Sequence, residues 1–331
     1  MLPALRVGLP SLARGLAPVL LQARHVASAT SSSNAGNANG EGASYKVAAG
    51  LTFAAAAALA GSPSWQAHAD AAPPAAAPSQ PPPDPYARPA ATGQLPKDIV
   101  LYQYEVCPFC CKVKAMLDYH KLPYTTVEVN PLTKAELKWS TYRKVPVVKM
   151  DGGARVAVDS SAIMSELAAE LEASVEEEAR WRRWVDERFV RVLTANIYRS
   201  WDETWDTFSY IAGQSHWNWA AQQAVRAGGS LIMWRVGKGM PKKYGIEGDL
   251  RQALYTDVDA FVAELGPRAY LGGGAPNLAD LAAYGVLRAV QGTPAYNDVV
   301  AHTKIGPWLA RMTIAVGDSA EIKPAAEGAA K

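Results

Sequence analysis

The chain has 331 residues, of which 49% are hydrophobic, so it is long enough for two domains of ordinary size and additional segments. Its formal net charge of +2 and the lack of any basic stripe exclude a nucleic-acid-binding protein of the usual kind. All three cysteines lie between Cys107 and Cys111, which excludes a disulfide framework and is typical of working thiols in a reducing compartment.

The first 42 residues have the composition of an organelle transit peptide. No acidic residue occurs from Met1 to Gly40, whereas Arg6, Arg14 and Arg24 are interspersed with leucines and followed by serines and alanines. We predict import into a mitochondrion, with a chloroplast as the alternative destination. A disordered tail is the interpretation that assigns this segment no function.

Residues 43–66 form a weakly apolar, alanine-rich segment. Its apolar run is shorter than the ~20 residues that span a bilayer comfortably, although Tyr45 and Trp65 at its borders extend it. Two interpretations stay open. Either 45–65 is a single thin membrane span that anchors the protein, or the segment is a secondary targeting signal that is cleaved at the small-residue site 67–69.

Residues 67–96 are dominated by proline and alanine and include the triplet Pro81-Pro82-Pro83. This composition favours extended polyproline conformation and leaves nothing to bury. We therefore expect a linker that holds the following domain away from the membrane or transit segment.

The segment 97–173 alternates strands with helices. We predict strands over 99–104 and 124–129 with a helix from Cys107 to Tyr119 between them, which makes the two strands parallel. A short helix, a strand after Val145-Pro146, an Asp-Gly-Gly turn and a final strand and helix follow, so an antiparallel hairpin ends the sheet. The order β-α-β-α-β-β-α predicts an α/β thioredoxin-like domain.

The motif C-P-F-C lies where the first predicted strand passes into the first helix. A cysteine at a helix start is close to unpaired N–H groups and the positive end of the helix dipole, which stabilise a thiolate. Cys107 is therefore the predicted nucleophile, and Cys110, one turn along on the same face, is the predicted resolving thiol. We expect Cys111 to point into the core. A zinc site is disfavoured because the sequence offers no second pair of ligands.

Two further motifs of this domain are able to bind a peptide. Val145-Pro146 precedes a buried strand, and a proline there, which is a candidate for the cis form, leaves backbone groups free to pair with an extended ligand. An ordinary turn proline is the alternative. Asp159 and Ser160 open a helix, where they act as a cap or else hold the ammonium and carboxylate groups of an amino acid.

Residues 174–317 change to long amphipathic helices and predict an all-α domain, whose first helix we expect to run from Glu176 to Trp201. Asn277 and Asp280 have the spacing of a capping box at the start of another helix. The polar, alanine-rich residues 318–331 predict a disordered tail.

Together these motifs resemble the glutathione transferase superfamily and, within it, the membrane-associated prostaglandin E synthases of type 2. The likeness covers roughly 95–311 and includes the helix sequence ADLAAYGVLR at 279–288. It implies a homodimer in which a thioredoxin-like domain is followed by an all-α domain of the glutathione transferase C-terminal kind.

The resemblance also implies a reaction and a set of site residues. The reaction is a glutathione-dependent isomerisation of the apolar endoperoxide prostaglandin H2 to prostaglandin E2, and some members bind haem together with glutathione. Catalytic roles are implied for Tyr104, Cys107 and Cys110. Glutathione contacts are implied for Phe109, Val145, Pro146, Asp159 and Ser160.

Two other functions stay open from the residues themselves. A C-x-x-C at a helix start also suits a glutaredoxin-like thiol–disulfide oxidoreductase. Glutathione and a thiolate can instead hold haem or an iron–sulfur cluster in a binding module without turnover.

Overall fold

The structure, a computed structural model, describes residues 84–131, 133–171, 176–214 and 218–323. The predicted transit peptide, the apolar segment after it, most of the linker and the end of the predicted tail lie outside the described residues. In the described ranges, no helix is both long and apolar enough to cross a membrane.

A mixed four-stranded sheet in the order β2-β1-β3-β4 forms the first domain. Strand β1 spans Ile99–Gln103, β2 spans Tyr124–Glu128, β3 spans Val147–Met150 and β4 spans Arg155–Val158. Strands β1 and β2 are parallel, whereas β3 is antiparallel to both β1 and β4. The predicted parallel pair and terminal hairpin are therefore confirmed.

Two helices complete the thioredoxin-like domain: α1 at Pro108–Tyr119 and α2 at Ser160–Ala169. Apolar side chains of both helices pack in one core with alternate residues of the sheet, such as Leu101 and Val148. The short helix expected before β3 is only a 3-10 turn, Ala135–Leu137. The segment around it is mostly polar. It lacks the apolar stripe that a longer helix would need in order to pack against the domain.

The second domain is helical throughout the ranges described. Its helices are α3 Glu176–Trp184, α4 Val190–Ile197, α5 Trp201–Gln214, α6 Trp219–Gly237, α7 Met240–Tyr244, α8 Leu250–Leu265, α9 Leu278–Ala289, α10 Pro294–His302 and α11 Gly306–Val316. A π-helical turn, Val185–Phe189, joins α3 to α4. The helix predicted to reach Trp201 therefore ends at Ile197, and Trp201 begins the next helix.

Helix α9 packs directly on α1 and so joins the helical domain to the cysteine-bearing helix. A Cβ atom at Gly285 would lie 2.5 Å from the carbonyl oxygen of Cys111, which shows how closely the two backbones approach. The start of α9 has the predicted capping box, in which Asn277 and Asp280 bind each other's backbone N–H groups. This rigid helix fixes one side of the space beside Cys107.

The linker prediction is wrong for residues 84–96, which we call the N-terminal strap. Arg88 forms a buried ion pair with Glu178 at 2.6 Å, and the Tyr86 hydroxyl donates a hydrogen bond to Asp186 at 3.2 Å. The Thr92 hydroxyl donates to Glu170 at 2.7 Å. The composition suggested a spacer, but three polar side chains of this segment form an ion pair or hydrogen bonds with residues of the two domains that follow.

The predicted disordered tail is also wrong for its first residues. The N–H of Ile322 donates to the carbonyl oxygen of Tyr124 at 2.7 Å, and Glu321 accepts a hydrogen bond from the Thr126 hydroxyl at 2.6 Å. The buried carboxylate of Asp118 accepts from the N–H of Ala320 at 3.0 Å. Residues 318–323 thus cover the open edge of β2, which would otherwise expose unpaired backbone groups.

Candidate active site

The first turn of α1 presents unpaired backbone donors to Cys107. This residue is at the N-cap position with extended backbone angles, φ −74° and ψ 123°, and no side chain caps the helix there. Its carbonyl oxygen accepts the N–H of Cys111 at 2.9 Å, so the helix begins directly after it. Pro108 follows, where its missing N–H costs no intrahelical hydrogen bond.

The two cysteines of the motif have pKa values that move in opposite directions. A hydrogen bond from the Cys110 thiol and the N–H groups of Cys110 and Phe109 lower the pKa of Cys107, although burial opposes them. Burial raises the pKa of Cys110 well above its ordinary value, and its hydrogen bond to Cys107 adds to that rise. At neutral pH the sulfur of Cys107 is therefore the more anionic of the pair, which fits a nucleophile beside a thiol donor.

Cys111 belongs to the core. Its side chain is buried, and its sulfur lies 3.5 Å from the carbonyl oxygen of Glu105. Burial raises the pKa of its thiol to about 12. The prediction that Cys111 points away from the reactive pair into the interior is confirmed.

The two reactive cysteines belong to a small apolar cluster on the face of the sheet opposite the main core. Its buried members include Val145 and Val147, and the half-buried ring of Tyr142 packs against it. The Val145-Pro146 bond is cis, the form for which this proline was a candidate. The structure thus brings Val145 beside Cys107 and Cys110, where the C-P-F-C motif and the Val-Pro motif form one wall.

Asp159 and Ser160 occupy the start of α2. One carboxylate oxygen of Asp159, Oδ1, accepts the N–H groups of Ser161 at 2.9 Å and Ala162 at 3.2 Å. Asp159 has a positive φ of 72°, which is uncommon for a residue with a Cβ. Such strain at a helix start is often retained at ligand sites. The cap interpretation is therefore confirmed, and in the described part of the chain both of these hydrogen bonds use the same carboxylate oxygen.

Tyr142 packs against the cluster that contains the two cysteines, and it was not among the residues predicted from the sequence. Burial raises the pKa of its hydroxyl, and the charges of Asp159, Cys107 and Cys110 contribute to that rise. Its place before the Val-Pro motif in the sequence S-T-Y-R-K-V-P was the only pointer to it.

A second unpredicted residue is Glu128, at the end of β2. Burial raises the pKa of its carboxyl to about 7, while an N–H hydrogen bond from Glu105, 3.0 Å away, opposes that rise. When ionised, Glu128 raises the pKa of Cys107. A carboxyl group that changes its charge near neutral pH therefore influences the pKa of the Cys107 thiol.

An apolar cavity of about 120 Å³ opens beside Cys107. Tyr104, Cys107 and Pro108 line one side, so the predicted tyrosine and nucleophile share this space. The helical domain supplies the other side, chiefly through α4, α5 and α9. Its lining residues there are Val190, Leu193, Thr194, Ile197, Tyr198, Thr207, Tyr210, Ile211, Val286, Ala289, Val290 and Thr293. No pattern in the sequence indicated this cavity.

The described residues contain no group of three or more histidine, cysteine or acidic side chains that could hold a metal ion. The lining of the cavity also carries no histidine, lysine or arginine. The site is thus a thiol beside a hydrophobic space, with a carboxylate and a serine at the neighbouring helix start.

Comparison with known proteins identifies the family of the chain. Residues 101–174 match the family model described as the N-terminal domain of glutathione S-transferase. The chain is 34% identical over 264 residues to prostaglandin E synthase 2 of Danio rerio, covering 65% of this chain and 70% of that protein. It belongs to the prostaglandin E synthase 2 family. The member from Mus musculus is 31% identical over 275 residues, covering 68% of this chain and 72% of that one.

Among solved structures, a glutathione S-transferase of Ceriporiopsis subvermispora in complex with glutathione is 15% identical, with a TM-score of 0.47 over 66% of this chain and 96% of that one. Glutaredoxin 2 of Salmonella typhimurium, also in complex with glutathione, is 17% identical, with a TM-score of 0.41 over 66% and 95%. Similarities at this level support no further argument.

Proposed function

We propose that this chain is a glutathione-dependent isomerase that converts the endoperoxide prostaglandin H2 to prostaglandin E2. The observation that carries the proposal is the thiol of Cys107, whose pKa is lowered and which faces an apolar cavity shared with Tyr104. An endoperoxide with two hydrocarbon chains needs a hydrophobic space beside a nucleophile. Membership of the prostaglandin E synthase 2 family supports the same substrate class.

The chemistry needs no net oxidant or reductant. The Cys107 thiolate attacks one peroxide oxygen, the O–O bond breaks, and the other oxygen takes a proton to become the hydroxyl group, with Tyr104 as the nearby donor. The carbon that bears the sulfur-bound oxygen then loses its proton. Its electron pair forms the carbonyl while the S–O bond breaks and returns the thiolate. One proton is taken up and one is released, as an isomerisation requires.

Glutathione is assigned to the wall beside the cavity. The backbone of Val145, next to cis Pro146, is suited to pair with the extended tripeptide, as in other β-type peptide recognition. The free oxygen of Asp159 is suited to the ammonium group, and Ser160 to the carboxylate of the γ-glutamyl group. Phe109, in the first turn of α1, packs against the cluster that contains Cys107 and Val145. The thiol of glutathione would then lie alongside the Cys107 sulfur.

Haem does not fit the lining of this cavity. A porphyrin needs an axial ligand and partners for its propionates, and the lining residues offer the Cys107 thiol but no basic side chain. We therefore derive no step through haem. The homodimer, the attachment through 45–65 and the organelle of residence stay predictions from the sequence.

A second candidate is a glutaredoxin-like thiol–disulfide oxidoreductase. The observation that favours it is the hydrogen bond between the Cys110 thiol and Cys107, because this pair is close enough for exchange through a mixed disulfide. The two functions differ in what they require of Cys110. A dithiol reaction uses its sulfur as a reactant, whereas the isomerase uses it only as a hydrogen-bond donor.

The deciding experiment assays the full chain with glutathione in two reactions, formation of prostaglandin E2 from prostaglandin H2 and reduction of a mixed disulfide. The matched variants are Cys107→Ser, Cys110→Ser and Cys111→Ala. The isomerase proposal expects Cys110→Ser to retain most endoperoxide turnover and Cys107→Ser to lose it. Disulfide reduction without endoperoxide turnover in the wild type would establish the second candidate instead.

The cavity gives a further test of the substrate class. Ala289→Phe adds a ring to its lining, and we expect kcat/KM for the endoperoxide to fall by about tenfold to a hundredfold because the apolar chains lose space. Glutathione affinity, measured by calorimetry, should not change, since Ala289 is on the helical side. Equal loss of both would show that the substitution disturbs the whole site.

A further inference from the structure

Helix α1 carries a lysine whose side chain is completely buried. The Nζ atom of Lys112 lies 3.2 Å from Ser160 Oγ and 3.0 Å from Ser161 Oγ, and it forms an ion pair with Asp186. Lys112 is thus on the same helix as Cys107 but contacts the start of α2. A buried ammonium group is costly unless every proton finds an acceptor, and these three oxygens meet that need.

The two serines around Lys112 differ in where their own protons go. An ammonium group only donates, so both hydroxyl oxygens must accept from it. Ser161 then donates its proton to Asp186 Oδ2 at 2.5 Å. Within the ranges that the structure describes, the Ser160 hydroxyl has no acceptor for its proton. The residue is nevertheless buried, with only 3% of its surface exposed.

The backbone at the start of α2 shows the same difference. Asp159 caps the N–H groups of Ser161 and Ala162, but not that of Ser160. Ser160 therefore keeps two donors, its N–H and its O–H, at the N-terminal end of a helix of 10 residues. Two neighbouring donors at such a position suit a carboxylate.

Lys112 does not act here through net charge. Asp186 neutralises it and also accepts a hydrogen bond from the Tyr86 hydroxyl of the N-terminal strap at 3.2 Å. What the lysine adds is direction, because its donated hydrogen bond occupies one lone pair of Ser160 Oγ. The proton of that hydroxyl must then point elsewhere.

We propose that Lys112 is a positioning residue that turns the Ser160 hydroxyl into a fixed donor for the α-carboxylate of the γ-glutamyl group. The inference rests on the proposed glutathione site and deepens it. Lys112 thereby makes the site selective for thiol peptides that carry this carboxylate.

The test measures binding of two ligands to the full chain by calorimetry. One is glutathione, and the other is 4-aminobutanoyl-cysteinyl-glycine, which has the same thiol and backbone but lacks the α-carboxylate. We expect Lys112→Met to weaken glutathione binding by about tenfold and to leave the analogue's affinity unchanged, because only the carboxylate uses the oriented hydroxyl. A variant that merely loosens the fold would weaken both ligands equally, and that result would overturn the proposal.

Two matched variants control for other effects. Lys114→Met removes another buried lysine of α1, which pairs with Glu105 at 2.9 Å and does not contact Ser160, so the ratio of the two affinities should stay at the wild-type value. If Lys112→Met does not fold, as judged by circular dichroism, the double variant Lys112→Met, Asp186→Asn removes both buried charges and is measured instead. A wild-type ratio in the folded variant would overturn the proposal.

The failure of the broader proposal has a separate signature. Wild-type protein that binds neither ligand would contradict the glutathione site itself. Wild-type protein that binds both ligands equally well would keep that site but contradict the role of the Ser160 hydroxyl and of Lys112.

Discussion

Two helix starts flank the candidate glutathione site, and they differ in how their backbone N–H groups are capped. Helix α1 begins after Cys107 with no side-chain cap, whereas α2 begins after Asp159, whose carboxylate accepts two backbone N–H groups. Cys107 has φ −74°, but Asp159 has φ 72°. Both ends carry the same positive pole of a helix dipole, yet each satisfies its unpaired donors by a different route.

In the proposed glutathione site, this difference would let one protein hold a reactive anion and a zwitterionic head group side by side. At α1 the donors stay available to the sulfur of Cys107, so the helix stabilises a thiolate. At α2 Asp159 uses two of the donors, and in the proposed glutathione site its second oxygen would accept from the ammonium group while Ser160 would donate to the carboxylate. The uncapped start of α1 stabilises the thiolate of Cys107, whereas the capped start of α2 would present the carboxylate of Asp159 to glutathione.

The largest expected effect follows from breaking the uncapped end. Cys107→Ser replaces a low-pKa thiol by a hydroxyl that does not ionise at neutral pH, so endoperoxide turnover should fall by about a thousandfold or more. The measurement is prostaglandin E2 formation with saturating glutathione. Cys111→Ala, which changes a core thiol, should stay close to wild type, and retained turnover in Cys107→Ser would remove this residue from the mechanism.

A smaller effect separates the two tasks of Asp159 at the capped end. Asp159→Asn should keep the cap and tolerate the positive φ, whereas Asp159→Ala should lose about 1 kcal/mol of stability with the cap. Both variants should bind glutathione about tenfold more weakly, because the ammonium group loses its charged partner. Denaturant unfolding and calorimetry together test this. Wild-type glutathione affinity in Asp159→Asn would reduce this carboxylate to a cap.

The smallest effect concerns pH and the tuning of the uncapped end by Glu128. In the folded state its pKa is about 7, above the ordinary value of 4.5, so the folded protein holds the proton more tightly than the unfolded chain. Its contribution to stability is therefore complete below about pH 4.5 and is lost as the pH rises through 7. Glu128→Gln should remove that decline, as unfolding at a series of pH values would reveal.

The same variant should also change the thiol. Because ionised Glu128 raises the pKa of Cys107, the thiolate of Glu128→Gln should form at lower pH than in the wild type. Thiolate absorbance in the ultraviolet follows this titration. An unchanged titration would show that the carboxylate is too well screened to influence the sulfur.

Much of this arrangement could be predicted from the sequence because it depends on local signals. The strand before Cys107, the proline in the first helical turn, the hairpin after Met150 and the capping box at Asn277 each need only neighbouring residues. The starts of α1 at Cys107 and of α2 at Asp159 were predicted in this way.

The remaining parts depend on contacts between residues far apart in the chain. The cavity is built by α4, α5 and α9 against the loop before α1, and no periodicity shows which apolar stripes leave a space between them. The burial of Lys112 was equally hidden, since a lysine in an amphipathic helix is ordinarily exposed. Its partner Asp186 lies in a π-helical turn that the helical pattern did not predict.

The N-terminal strap sets a limit on where the chain can be shortened. A protein cut at Leu95 would lack Arg88 and Tyr86, so Glu178 would lose its 2.6 Å ion pair and keep the longer one with Arg182, and Asp186 would lose one of its donors. Any protease that removes a targeting segment must therefore cleave ahead of Asp84 if the mature enzyme is to keep these contacts. Two side chains of a proline-rich stretch therefore belong to the folded protein, and a cut beyond them removes part of its structure.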